Sequence, residues 1–453
     1  MQRRTVAVLC LVPDSGHVLP LLRLASLLDR QLQCRIVCIL PSKFESIVRE
    51  YGFEYFCLRS ELSDFESKLA ERISGCSIFY NAFSNYMDLS DCYWSPLREV
   101  LSHELESLVG TLCRLKPQFL LCDRHAFPDW YERLASCCGA RLIIHGSEGT
   151  LRSMRSLFVR TYGLTKRHRW LQELVELAGR SAELWFRGWR QIRYPGRSRS
   201  VRAMMNAANK RAALAFVDCG ATEPEEIYVT SGLAVLESGI CSAQAGVAAI
   251  KPVILAPSVE ATDGGLPPDL TKWLAQQRPG NVVYVCFGTM VALSDAMMEE
   301  LISGLVDAGV SVIWSLRTSQ RRLVAKHRVS DQFRFEEYVP QVALLASELV
   351  GCFVTHGGAG STQEAVVCGK PILCIPFMWD QPYNGSLVAS LGVARVLSKR
   401  QISRRRVSKE ITELLNNPTY AQSARRLAGE VRELQRSEQQ LASIRGIIER
   451  RVL

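Results

Sequence analysis

The sequence predicts an α/β protein made of two doubly wound, Rossmann-like parallel-sheet domains, and three observations lead there. Short β-branched runs alternate with longer amphipathic stretches through the N-terminal half, a basic segment interrupts them, and the alternation restarts after a stretch rich in proline and glycine. At 453 residues the chain is about three times the usual domain size of about 150. Apolar residues make up 47% and charged residues 22%, the balance of a chain with ordinary cores and not of a disordered or collagen-like one. No run approaches the roughly 18 to 20 uninterrupted apolar residues that a membrane crossing needs, so a spanning protein is not expected.

Taken in order, TVAVLCLV at 5–12 is the first expected strand, and Pro13, Asp14 and Ser15 form its turn. Arg3 and Arg4 before this apolar run imitate a signal peptide, but no small-residue cleavage site follows, and the run is read as structure. VLPLLRLASLLDRQ reads as a helix, CRIVCIL at 34–40 as a strand, and FLLCD ending at Asp123 and RLIIHG ending at Gly146 as two more. The stretch KPVILAPSVEATDGGLPPD, Lys251 to Asp269, reads as a linker. The expected domains are therefore 1–255 and 270–453, joined by 256–269. The second repeats the rhythm with NVVYVCFGT at 281–289, a helix over 294–308, VSVIWSL at 310–316, EEYVP near 338, GCFVTHGG at 351–358, a helix through Glu364, and PILCIPF at 371–377. From Thr419 onward, Leu427, Val431, Leu434, Leu441 and Ile444 keep helical spacing, and this last segment is expected to pack back across the domain interface.

The net charge of +10 is local. Between Arg152 and Arg211 stand fifteen Lys or Arg against Glu173, Glu176 and Glu183, a surplus of 12 that leaves the rest of the chain near −2. Phe158, Trp170, Trp185, Phe186 and Trp189 share that segment. It reads as a solvated helical insertion, with a surface for anionic lipid or an amphipathic ligand as the alternative. No zinc-finger spacing or RNA-recognition motif supports nucleic acid. The sixteen cysteines are scattered without a CxxC pair, and several lie inside apolar strands, so they are expected to be reduced and the protein cytoplasmic. The basic tracts RSRSVR near 197 and SRRRVSK near 403 are read as solvated faces or loops.

The strongest local feature is the strand GCFVT running into His356, Gly357, Gly358, Ala359, Gly360 and Ser361 and then a helix containing Glu364. Glycines at a strand-to-helix turn admit an anion close to the backbone, and the helix start offers unpaired N–H groups and a positive dipole end. Three other elements follow strands in the same way: Phe287, Gly288 and Thr289; Tyr338, Val339, Pro340 and Gln341; and Asp380 with Gln381. Tyr338 can stack a base, Glu364 can accept from ribose hydroxyls, and Asp380 and Gln381 can bind a sugar edge. Singly these residues read as a packing aromatic, a helix cap and a surface amide; together they read as a nucleotide-sugar site.

The run YVPQVALLASELVGCFVTHGGAGSTQEAVVCGKPILCIPFMWDQPYN, residues 338–384, resembles the donor-binding signature of family 1 UDP-dependent glycosyltransferases, and FGT at 287–289 resembles their upstream phosphate loop. The resemblance implies the GT-B fold, two Rossmann-like domains facing across a cleft. It implies Tyr338 on the uracil face, the Val339 backbone on its edge, Gln341 near the ribose and Glu364 on ribose hydroxyls. It further implies Gly288, Thr289, His356, Gly358, Gly360 and Ser361 at the diphosphate, and Asp380 and Gln381 on the hexose. Plant members carry Trp at the position of Tyr338, and Trp and Asn at those of Ala359 and Gly360, so the signature leans toward bacterial, fungal or animal branches.

In the N-terminal half His17 follows the first strand and Asp123 ends another. A lone His at a helix start is commonly a cap, but this position resembles the family's catalytic His and Asp123 its acidic partner. A neutral imidazole, with an ordinary pKa near 6.5, takes the proton of an attacking hydroxyl, and Asp123 fixes its tautomer. The expectation is a metal-independent, inverting hexosyltransferase without a prosthetic group, moving a hexose, first of all glucose, from a UDP-sugar to a lipophilic small molecule. No carboxylate pair has the spacing that would hold a metal. His125 is the alternative partner of Asp123; His103, His145, His168 and His327 have no distinguishing context. The rival readings are a nucleotide-sugar epimerase on the same fold and a non-catalytic nucleotide-sugar-binding subunit.

Overall fold

The computed structural model describes residues 3–12, 15–58, 95–123, 128–146, 207–208, 210–212, 214–216, 225–231, 253–257, 259, 265–289, 291–317, 320–321, 324, 331–377 and 380–449. Most of the basic segment 152–211, with its expected surface for lipid or an amphipathic ligand, lies outside the described residues, as do Pro13, Asp14, His125, His168, His327 and, of the expected linker, residues 258 and 260–264. The chain divides into two units, one of Met1–Phe65, Phe83–Ser258 and Ser437–Leu453, the other of Glu66–Ala82 and Val259–Arg436.

The first unit carries a seven-stranded parallel sheet: β1 (Thr5–Leu9), β2 (Arg35–Leu40), β3 (Glu54–Cys57), β4 (Phe119–Asp123), β5 (Arg141–His145), β6 (Glu226–Ser231) and β7 (Val253–Leu255). Their spatial order is β3-β2-β1-β4-β5-β6-β7. β1 and β4 are buried along their whole length, which is why they read as continuous apolar runs without alternation. The edge strand β3 is mostly exposed and holds Glu54 against Arg35 at 2.6 Å. Helices α1 (Ser15–Leu32), α2 (Glu45–Glu50), α3 (Ser95–Leu115) and α4 (Pro128–Cys138) join these strands. Val18, Leu21, Leu22, Ala25 and Leu28 form the buried stripe of α1, so its N-terminus stands just beyond the end of β1. β7 corrects the reading of Lys251–Asp269 as uniformly linker: Val253, Ile254 and Leu255 pair with Val229, Thr230 and Ser231 as the last strand of the sheet.

The second unit begins with α5 (Pro268–Leu274) and carries six parallel strands: β8 (Val282–Cys286), β9 (Ser311–Ser315), β10 (Phe333–Glu336), β11 (Val350–Thr355), β12 (Ile372–Cys374) and β13 (Ala394–Val396). Their order is β10-β9-β8-β11-β12-β13. The helices are α6 (Asp295–Asp307), α7 (Gln341–Ala346), α8 (Ala359–Val367), α9 (Gln381–Ser390), α10 (Arg404–Asn416) and α11 (Pro418–Arg436). Ser294 caps α6 by accepting from the Met297 N–H at 3.3 Å. Of the two readings of the tract SRRRVSK the solvated face is the observed one: its arginines open α10, with Arg404 paired to Asp307 on α6 and Arg405 and Arg406 exposed. The strand expected at EEYVP ends earlier, at Glu336, so Tyr338 lies in the connection leading into α7.

After Ser437, α12 (Glu438–Glu449) returns to the first unit. It packs on α1 and β7, buries Ile444, Ile447 and Ile448, and Gln440 accepts from the Ala256 N–H at 3.0 Å. Among the described residues eleven cysteines carry free thiols, mostly buried as expected, while Cys137 is disulfide-bonded. Also among the described residues, no helix is long and apolar enough to cross a membrane, and no group of three or more His, Cys, Asp or Glu is placed to hold a metal ion.

Candidate active site

In each sheet the first strand sends the chain outward on one side and receives its later neighbour on the other. The order therefore reverses between β1 and β4 in the first unit and between β8 and β11 in the second. Doubly wound sheets bind ligands beyond the strand ends at this reversal, where diverging connections leave a crevice. The candidate residues gather at the same two places.

In the first unit, His17 sits in the opening turn of α1 and Asp123 ends β4. His17 Nδ1 lies 2.6 Å from Asp123 Oδ2, with the side chains 24% and 13% exposed. A carboxylate can only accept, so the short contact places the proton on Nδ1 and leaves Nε2 as the acceptor atom of the ring. Asp123 is flanked in register by His145, the last residue of β5 and only 4% exposed. Burial pushes the His145 imidazole down to about 4 against the smaller opposing pull of Asp123, so it is neutral at physiological pH. Nearby, the buried Tyr131 hydroxyl accepts from the Leu11 N–H at 2.8 Å and fixes the chain just past β1. The sequence gives His145 away only through its place at the end of RLIIHG, the same kind of place that singles out Asp123.

In the second unit, Gly288 and Thr289 follow β8 and His356 follows β11. The His356 ring is wedged between two glycines. A Cβ on Gly288 would lie 2.8 Å from its Cε1 and one on Gly358 2.5 Å from its Nε2, and Gly288 also has φ +68°. The Thr355 hydroxyl lies 3.2 Å from His356 Nδ1. Gly358 is the N-cap of α8 and offers no side-chain acceptor to the first-turn N–H groups, at which Gly360 and Ser361 stand. A Cβ on Gly360 would meet nothing within 4 Å, so packing does not explain that glycine.

Around this turn, Gln341 opens α7 and its amide donates to Glu364 Oε2 at 2.5 Å and to Ser361 Oγ at 3.4 Å, while its carbonyl accepts from the Tyr284 hydroxyl at 3.1 Å. Tyr338 is 75% exposed beside the buried Val339. Asp380 accepts from Asn384 at 2.8 Å, and the same Asn384 amide donates to the Gly357 carbonyl at 2.9 Å, tying the sugar-edge candidate to the glycine turn. The Gln381 side-chain oxygen accepts from the Phe377 N–H at 2.9 Å, and Lys399 donates to the Phe377 carbonyl at 3.3 Å. Gln381 is buried and opens α9 directly after Asp380, its N-cap. Asn384 and Tyr284 escape the sequence reading, although Asn384 at four residues from Asp380 falls on the same helix face.

The family model described as UDP-glucoronosyl and UDP-glucosyl transferase matches residues 263–432. UDP-glycosyltransferase 74C1 of Arabidopsis thaliana is 38% identical over 122 residues, 26% of this chain and 27% of that protein. Indole-3-acetate beta-glucosyltransferase of Zea mays is 34% identical over 177 residues, 37% of this chain and 38% of that protein. The matched stretch spans between about a quarter and two fifths of these relatives. Over the whole length the fold is that of solved proteins. Phytolacca americana UGT2, complexed with UDP-2fluoro-glucose and pterostilbene, superposes with a TM-score of 0.65 at 17% identity, covering 98% of each chain. Os79 from O. sativa in complex with UDP gives 0.64 at 18% identity, covering 98% of this chain and 99% of the other. The expected pair of doubly wound parallel sheets is therefore observed, one in each unit, on the fold of those solved proteins, and the resemblance read from the signature at 338–384 is borne out by the family match that contains it.

Proposed function

We propose that this chain, which over residues 263–432 matches the UDP-glucoronosyl and UDP-glucosyl transferase family, is a UDP-glycosyltransferase that moves a hexose, glucose first of all, to a hydroxyl of a lipophilic small molecule. The observation that carries the reading is the 2.6 Å contact of His17 with Asp123 at the point where the first sheet reverses. Binding alone has no use for an oriented imidazole with an accepting Nε2; removing a proton from an attacking hydroxyl does.

In this reading the acceptor hydroxyl gives its proton to His17 Nε2 as its oxygen attacks the anomeric carbon. Asp123 stabilises the imidazolium that forms and holds the ring through Nδ1, as in a triad whose nucleophile comes from the substrate. Displacement in one step inverts the anomeric centre, and UDP leaves with the bonding pair. If Thr355 donates to His356 Nδ1, the remaining ring proton sits on Nε2, beside Gly358, where it can donate to the departing diphosphate together with the first-turn N–H groups of α8. Tyr338 takes the base, the Val339 backbone its edge and Glu364 the ribose hydroxyls. Thr289 and Ser361 join the diphosphate set, and Asp380 and Gln381 take the hexose. Charge on the leaving group is met by these donors, and the reading needs no metal.

The function is tested by incubating the protein with UDP-glucose and a mixed panel of flavonoids, sterols, terpenoids, carotenoids and macrolides, followed by mass spectrometry. A hexose increment on at least one acceptor, with matching UDP release, is expected. UDP-glucose converted without any acceptor would favour the epimerase reading, and donor binding with no product from any acceptor would favour a binding subunit.

A further inference from the structure

We infer that Tyr284, in the core of β8, is a positioning residue for the donor's ribose, acting through Gln341 on Glu364. Tyr284 is buried and stacks on Phe353 with centroids 4.9 Å apart and planes 8° apart, so its ring direction is set by the sheet. Its hydroxyl therefore stands at a fixed point, 3.1 Å from Gln341 Oε1.

A primary amide has one accepting and one donating end, and Glu364 fixes which way round that of Gln341 sits. Glu364 offers only lone pairs and needs the NH₂ end, which lies 2.5 Å from its Oε2. Tyr284 has a proton to give and finds the carbonyl end. The amide is thereby locked, and Glu364, only 7% exposed, has its Oε2 held from the protein side. The inference rests on the reading of Glu364 as the ribose acceptor. A carboxylate whose Oε2 is held in place keeps a fixed plane, which is what recognition of a vicinal diol requires. Gln341 on this view serves the ribose chiefly by orienting Glu364, since its donors already point to Glu364 and Ser361.

The test uses the full-length protein and two ligands, UDP and 2′,3′-dideoxy-UDP, with dissociation constants measured by calorimetry for wild type, Tyr284→Phe and Gln341→Leu. Wild type is expected to prefer UDP by about tenfold or more, the usual worth of a hydrogen bond to a charged group. In both variants that preference should shrink to about threefold or less while affinity for the dideoxy ligand stays within about twofold. Combining the two substitutions should cost no more than Gln341→Leu alone, because they cut one chain. An undiminished preference for UDP in Tyr284→Phe, or a parallel loss of affinity for both ligands, would overturn the inference. Equal binding of both ligands by wild type would instead remove the ribose role of Glu364 itself. Phe keeps the stack on Phe353, and Gln341→Leu alters a different side chain at the end of the same chain, so the answer does not hang on one variant folding.

Discussion

At the scale of single residues, the glycines of the donor turn separate into two kinds. Gly358 is demanded by the protein, because a Cβ there would drive into the His356 ring. Gly360 is not, because its Cβ would enter open space. If Gly360 is there to let a diphosphate approach the start of α8, Gly360→Ala should keep the melting temperature within about 2 °C, as a surface change does, yet weaken UDP binding by about tenfold. Gly358→Ala should lower both stability and binding. Thermal melting beside UDP titration reads the two effects apart, and a Gly360→Ala protein that binds UDP like wild type would remove the anion from that turn. The signature made Gly358 and Gly360 look alike. Only the folded structure separates them, because the difference lies in where a neighbouring ring sits.

At the scale of elements, strand periodicity located β1, β2, β4, β5, β8, β9, β11 and β12, since central parallel strands are long apolar runs. The short edge strands β3 and β13 were not legible. Half-exposed residues such as Glu54 and Arg395 interrupt them, and pairing with a neighbour supplies what local pattern does not. Register carried information of its own: pairing β4 with β5 sets His145 beside Asp123, and nothing along either strand announces it. That burial has a consequence for stability. The His145 imidazole is held near 4 in the folded protein against about 6.5 when unfolded, so above pH 6.5 it is neutral in both states and contributes no pH dependence. As pH falls from 6.5 to 4 the unfolded chain takes up a proton that the folded one refuses, and stability drops by up to about 3 kcal/mol. Below 4 both are protonated and the loss stops growing. Urea unfolding of His145→Gln across this range should show a shallower acid slope than wild type; identical slopes would mean that the imidazole is not held neutral.

At the scale of the whole molecule, the two-sheet plan was readable because the strand and helix rhythm occurs twice with an interruption between. The return of α12 to the first unit was readable in part. Its apolar spacing announced a packed helix, but the site of the break at Ser437 and the bond from Gln440 to Ala256 depend on long-range contact. The candidate site was legible to the extent that chemistry concentrates at strand ends. His17 and Asp123 are 106 positions apart, and each alone is an ordinary cap or strand end; the fold makes them partners. The central claim is that His17 takes a proton from the acceptor, and the steady-state kinetics of His17→Ala, set beside its UDP-glucose affinity, test it most directly. Turnover should fall by roughly 10² to 10⁴, the usual worth of a general base, with donor affinity nearly intact. Turnover close to that of wild type, or a loss of donor affinity as large as the loss of turnover, would contradict it.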